Sequence, residues 1–541
     1  MIQRFSRALG LTLLTGFAAL TPACGSGDGV VTGDEDDLTS VTARERKLTF
    51  EGYVYVSASA SSKVILEAVQ RQTKSAFGAL RIANVAVSHR ELSDVDAKQF
   101  KKEPVTVVDP ETRATSSALR VRYRYTDQAI VPKTMARRSS LELGLLHGDY
   151  QSQSDRILEE CTENSEEDRE MADEIWYVYN PSLDRCQTAM AKEQDAIDAD
   201  RLLLEDLGKQ IVPKERKRLY VPMTVKLEAA AMTQGTAYPE YDRLWSGGVE
   251  PGTLVVGLLN GIIGHGEPGK THPINEDEGY LEMLGQMDEI LKARPALTVV
   301  KTDPATDLSV FTISGKKITG VTFRDFIDWE LHGTSFPKGL TAAEKSSLKT
   351  AVAERLLRRW VTFEETVSVK IGSKAAKSVK VRIEQYFGAD EDEAPYRRAL
   401  KKSDVFVFNG HSFIGSGPLD PANFSASDIP ESYQIYFVDS CVSFNYYNKD
   451  FYAFKSRGAR DLDTITNGME SFSDGSGAAE GRFVAALLGG EQPSYKKLLQ
   501  IAGTTGTDYD WGKDAMRVVD GEIENSYSPT KTPIKVTEVS P

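Results

Sequence analysis

Between residues 46 and 135 apolar and polar positions alternate with a period of two. "KLTFEGYVYVSA" and "LRVRYRYTD" both follow it; the second places Val121, Tyr123 and Tyr125 on one face and Arg120, Arg122 and Arg124 on the other. That period predicts half-buried strands with a solvated side. "SSKVILEAVQRQ" between them has helical spacing. Residues 150–212 are rich in Glu and Asp and run into "AMAKEQDAIDADRLLLEDLGKQ", a helical pattern, after which "KRLYVPMTVKLEA" returns to strand. Pro222 inside it points to an edge or a bulge, because proline donates no ladder hydrogen bond.

From about residue 245 strand and helix alternate. "GTLVVGLLNGII", "ALTVVKT", "KSVKVRIEQYFG", "DVFVFNG" and "YQIYFVDS" read as strands. "EDEGYLEMLGQMDEILKA", "FRDFIDWELHG", "EDEAPYRRALKK", "GRFVAALLGG" and "SYKKLLQIAG" read as helices. "TAAEKSSLKTAVAERLLRRW" opens with a capping-box pattern, Thr341 to Glu344. This alternation predicts an α/β fold: a mainly parallel sheet with helices on both faces, preceded by a β-rich region with a helical segment. The expected divisions are 46–244 for the β-rich region, 245–505 for the α/β domain and 506–541 for a C-terminal extension.

The N-terminus adds an address. "MIQRFSR" is basic, "ALGLTLLTGFAAL" is apolar but short for a membrane span, and "LTPAC" ends at Cys24. The segment resembles a bacterial lipoprotein signal over residues 1–23. That resemblance implies acylation of Cys24 and, with Gly25 following, attachment to the outer membrane. Residues 24–45 open Gly-rich and acidic and read as a flexible tether. The membrane is thus expected to be met only through the N-terminal lipid. Net charge is −14, and −16 without the first 23 residues, which hold Arg4 and Arg7 and no acid. Such acidity argues against a nucleic-acid partner.

Four cysteines remain to be placed. With Cys24 lipidated, Cys161 and Cys186 are the near pair, and an oxidising compartment favours a disulfide between them over two free thiols. Cys441 is then odd. It stands just beyond the apolar run Ile435, Tyr436, Phe437, Val438; His411 stands likewise beyond Val405, Phe406, Val407, Phe408. Functional groups of open α/β sheets gather beyond the C-terminal strand ends. A thiol there becomes a nucleophile once an imidazole takes its proton. Gly410, Gly415 and Gly417 permit tight turns and close approach, and small Ser440 and Ser443 flank the thiol.

"VFVFNGHS" followed by "YQIYFVDSCVS" resembles the caspase-like clan of cysteine peptidases, which includes caspases, legumains, clostripains and gingipains. Its mark is an apolar strand ending at a catalytic His, then another ending in an acidic or small residue and the catalytic Cys. The stretch 462–490 also looks like the gingipain arrangement, a strand leading to a Gly/Ser-rich loop and a helix. The resemblance implies Cys441 as nucleophile and His411 as general acid/base, acting on a polypeptide. An oxyanion hole would come from the Cys441 N–H and one near Ser412. The clan usually has Gly directly after the histidine; here Ser412 follows and Gly410 precedes, which narrows the expected oxyanion pocket. The chemistry requires no cofactor.

Competing readings stay open. His265 in "GIIGHGEPGKTHP" also ends an apolar strand, with Gly266 after it, but lies far from Cys441 in sequence. His265, Glu267 and His272 form an imaginable metal set without helical spacing or a fourth ligand. The Gly-Lys-Thr there is no phosphate loop, since Pro268 interrupts the N–H cradle. Asp439 either orients the dyad or caps a turn. Asp463 and Glu470 lie where a pocket acid would select Arg or Lys, and His147 reads as a surface or helix-end histidine. A non-catalytic binding or assembly lipoprotein on the same scaffold is the main alternative function, and a transpeptidase a weaker one. A working dyad is expected to be alkylated below pH 7.

Overall fold

The computed structural model describes residues 38–204, 208, 210–230, 236–264, 272–473, 475–503 and 515–539. The export signal, Cys24, His265 and Glu267 lie outside them. The chain is a mixed α/β protein built on two large sheets.

The first sheet holds β1 (Ala43–Ser57), β2 (Lys101–Val108), β3 (Thr115–Pro132), β4 (Ser140–Leu146) and β5 (Tyr220–Ala229), in the order β4-β5-β1-β3-β2 and antiparallel among these five. Val121, Tyr123 and Tyr125 are buried, while Arg122 and Arg124 are exposed, as period-two alternation requires. β5 is an interior strand, yet its pairing with β1 covers only Val225 to Ala229. Pro222 sits in the half that pairs with β4 alone, so its missing N–H costs no ladder bond. A disulfide joins Cys161 to Cys186, tying helix Ser154–Cys161 to helix Asp184–Leu202. A closed loop of this length contributes roughly 3 kcal/mol.

The second sheet holds β6 (Thr253–Gly261), β7 (Thr298–Asp303), β8 (Arg359–Ile371), β9 (Lys377–Ala389), β10 (Val405–Asn409), β11 (Gln434–Asp439), β12 (Leu462–Thr466), β13 (Val518–Asp520) and β14 (Ile534–Glu538). The order is β13-β12-β11-β10-β6-β9-β8-β7, with β14 also on β8. Pairing is parallel across β12, β11, β10, β6 and β9, and antiparallel on both flanks. The sheet is therefore mixed rather than mainly parallel. The reason is connectivity: β8 and β9 follow each other across a short turn, and a short turn joins only antiparallel strands.

Alternation along the central strands splits the core in two. Val405, Val407, Ile435 and Phe437 pack with residues of helices Glu278–Ala293, Ala342–Leu356 and Ser476–Leu487. Phe406, Phe408, Tyr436 and Val438 face the other way, into one continuous core with β1, β3, β5 and helix Glu393–Lys402. Helix Glu393–Lys402 lies on that second face, and the N-terminal region packs into the same core. The expected divisions also shift. Leu38 is buried and Thr39–Ser40 pairs with β13, so the tether does not extend to residue 45. Tyr241 and Leu244 belong to the second core, and β13 and β14 make the C-terminal extension part of the sheet. Among the described residues no helix is long and apolar enough to cross a membrane.

Replacing both Cys161 and Cys186 by serine is expected to lower stability by about 2–5 kcal/mol. The check is the urea midpoint of the region's unfolding, which shifts down; an unchanged midpoint contradicts the role given to the bond.

Candidate active site

β10 and β11 run side by side in parallel, with Asn409 level with Asp439. His411 and Cys441 each lie two residues beyond that pair, at the same end of adjacent strands about 4.8 Å apart. On the other side of β10 lies β6, where Asn409 pairs with Asn260. A Cβ on Gly410 would stand 2.9 Å from the Phe408 ring and 3.3 Å from the Cα of Gly261. The Phe408 ring of the same strand and the end of β6 thus leave little room for a side chain at Gly410.

His411 is half-buried. Burial holds its pKa below the ordinary imidazole value, partly opposed by the nearby backbone of Ile263, just past β6. The Phe413 ring meets it edge-on at 6.0 Å. Ser412 is buried, and its carbonyl accepts from the Tyr447 hydroxyl at 2.8 Å and the Gly415 N–H at 2.8 Å. Phe413, Ile414 and Gly415 follow in the left-handed region, with φ of 49°, 51° and 77°, which turns the chain away sharply.

Cys441 is a free, half-buried cysteine whose thiol donates to the Ser471 carbonyl at 3.7 Å. Burial, with the charge of Glu470 adding to it, pushes the thiol up to about 12. At neutral pH it is a protonated thiol, so the expected alkylation below pH 7 does not suit this state. The thiol thus engages the outer neighbour of its own strand, Ser471 after β12. Val442 adopts φ 53° and donates its N–H to Met469 at 3.0 Å, starting the helix Ser443–Tyr447. Among the described residues no backbone carbonyl accepts from the N–H of Cys441 or of Ser412. Ser440 and Ser443 are fully buried and shape the turn rather than the mouth; the Ser443 hydroxyl donates to Val438 at 2.8 Å.

Asp439 is anchored on the cysteine side of the rim. Its carboxylate accepts from Asn467 at 2.6 Å, from the Ser471 hydroxyl at 2.5 Å and from Arg517 at 2.6 Å. Its pair with Arg517 is 1% and 2% exposed, a buried bridge between the Cys441 strand and β13. Through Ser471 it also fixes the carbonyl that meets the thiol. Asp463 sits at the opposite end of the sheet, level with Ile435, bonded to Tyr433, Tyr495 and Asn525. Burial raises its carboxyl to about 7, and it belongs to the core, not to a substrate pocket. Glu470 does stand at the rim beside Ser471, paired with Arg81. His147 is buried instead of on the surface: Nε2 accepts the Tyr55 N–H at 3.1 Å and burial lowers its pKa to about 4. His272 pairs with Glu276 at 3.1 Å, while its imagined co-ligands His265 and Glu267 fall outside the described residues.

Ser471, Arg517 and Arg81 escaped sequence reasoning. The first acts through its backbone carbonyl, which carries no residue signal, and the arginines come from 389 residues before Glu470 and 78 after Asp439. Compared with protein-family models, curated proteins and solved structures, the chain finds no match.

Two outcomes follow. In the resting protein, carboxamidomethylation of Cys441 is expected to rise about tenfold per pH unit from pH 7 to 10 without a plateau. Levelling off by pH 9 would show the thiolate to be more accessible than the geometry allows. Arg517→Met leaves Asp439 buried and unpaired and is expected to cost about 3–5 kcal/mol in urea unfolding. A loss under about 1 kcal/mol would rule out the bridge as a structural anchor.

Proposed function

We propose that the protein is a caspase-like cysteine endopeptidase of the cell envelope, with Cys441 as nucleophile and His411 as general acid/base. The observation that supports it most is the register: both residues stand two positions past a paired site on neighbouring parallel strands. Export, lipid attachment at Cys24 and residence at the outer membrane belong to the same reading, carried by the N-terminal sequence.

In the proposed reaction His411 takes the Cys441 proton, and the sulfur attacks the scissile carbonyl carbon. The Cys441 N–H and an N–H near Ser412 receive the developing oxyanion. The C–N bond breaks, the imidazolium hands its proton to the departing amine, and a thioester remains. Water, deprotonated by His411, then attacks the thioester; the carboxylic acid leaves and the thiol is restored. The raised thiol pKa makes the described state a latent one, in which attack waits on solvation or approach of the two groups.

That same pKa, with Ser412 in place of glycine, favours a second reading: a binding or assembly lipoprotein that keeps the scaffold without the chemistry. Incubation of the protein with a peptide library, read by mass spectrometry of new termini, separates the two. Cleavage is expected, with Cys441→Ala and His411→Ala each lowering it by at least about a hundredfold. Products joined to an added amine instead of water would make the enzyme a transpeptidase. Absence of any Cys441-dependent product across conditions that expose the thiol would leave the binding reading.

A further inference from the structure

The Cys441 thiol has a charged neighbour that its own domain does not supply. Arg81 lies in helix Ala76–Ile82 of the N-terminal region. Its guanidinium pairs with the carboxylate of Glu470 and donates to the Tyr177 carbonyl at 3.3 Å. It also lies 4.7 Å from the centroid of the Tyr177 ring. The two paired side chains are 9% and 16% exposed. Glu470 directly precedes Ser471, whose carbonyl meets the thiol.

An acid, a carbonyl acceptor and an aromatic wall form the set of partners that recognises a guanidinium. The fit is incomplete, since the buried Arg81 Nε has no hydrogen-bond partner among the described residues. Burial works against the Arg81 charge, and Glu470 more than offsets it, so the group remains a cation. Around it the N-terminal region closes on both rim turns. Arg90 pairs with Asp420 at 2.9 Å beyond the His411 turn. Asn445, in the helix after Cys441, donates to the carbonyls of Val87 at 3.1 Å and His89 at 2.9 Å. Phe77 stacks on Tyr446 at 6.2 Å.

We propose that Glu470 is the specificity residue for a basic side chain, arginine foremost, next to the scissile bond, and that Arg81 fills this pocket as an internal plug. The proposal rests on the peptidase reading and makes the N-terminal region an inhibitory cover. A polypeptide with an accessible arginine would compete with Arg81 for Glu470 and, in doing so, reach the thiol.

The test is carboxamidomethylation of Cys441 in the full chain at pH 7.5, quantified on its tryptic peptide. Arg81→Ala is expected to label at least about tenfold faster than wild type. Millimolar Nα-acetyl-argininamide should protect it, and Nα-acetyl-leucinamide should not. The double variant Arg81→Ala/Glu470→Gln leaves no buried charge unpaired; it should label as fast and lose the protection. If Arg81→Ala fails to fold, the labelling rate of the double variant decides, a rise supporting the plug and a wild-type rate overturning it. Equal protection by both amides, or wild-type labelling in both variants, also overturns it. Argininamide protection without cleavage of any arginyl peptide keeps the pocket and removes the peptidase reading. Cys441-dependent cleavage with no preference for arginine keeps the peptidase and removes the pocket.

Discussion

The buried bridge between Asp439 and Arg517 is the contact on which the site depends. Asp439 is the last residue of the cysteine strand, and Arg517 directly precedes β13. Two charges withdrawn this far from water are held only if their remaining valences are met. Here Asn467 does so from both sides, donating to Asp439 at 2.6 Å and accepting from Arg517 at 3.1 Å. The Arg517 guanidinium also lies 4.7 Å from the Phe437 ring. The pair locks strand end, following loop and chain terminus into one arrangement. Cys441, Glu470 and Ser471 inherit their positions from it.

A second constraint comes from the shared core. Because Phe406, Phe408, Tyr436 and Val438 pack against residues of the first sheet, the N-terminal region is not a loosely hung module. Apolar burial of this extent works at roughly 25 cal/mol per Å², so the two parts stabilise each other. The face that joins them also borders the thiol, which packs at the edge of the same cluster. Stability and burial of the thiol therefore have one source.

How much of this was legible in the sequence depends on the range of each interaction. Val405–Asn409 and Gln434–Asp439 were readable because a strand buried on both faces leaves a near-continuous apolar run. The capping box at Thr341 and Glu344 was readable because its signal is four residues long. β8 was passed over: "RWVTFEETVSVKI" places Glu364 and Glu365 mid-strand, where Arg382 and Arg294 neutralise them. The partner of Asp439 was not readable because it is remote in sequence, nor the place of Asp463, because a strand's start and end look alike without its neighbours. His147 reads as exposed beside Gly148, yet tertiary packing buries it against Tyr55. That Thr39–Ser40 and the C-terminal strands cross back into the second sheet was not readable, because strand pairing across the chain leaves no local signal.

The account stands or falls on whether Cys441 and His411 act on one carbonyl. The most direct measurement is a crystal structure of the Arg81→Ala protein with a peptide aldehyde ending in arginine. The account predicts a bond from the Cys441 sulfur to the aldehyde carbon, its oxygen on the Cys441 N–H, and the His411 ring within hydrogen-bond reach of that oxygen. Well-ordered density with the sulfur unmodified, and the imidazole still apart from it, would contradict the account.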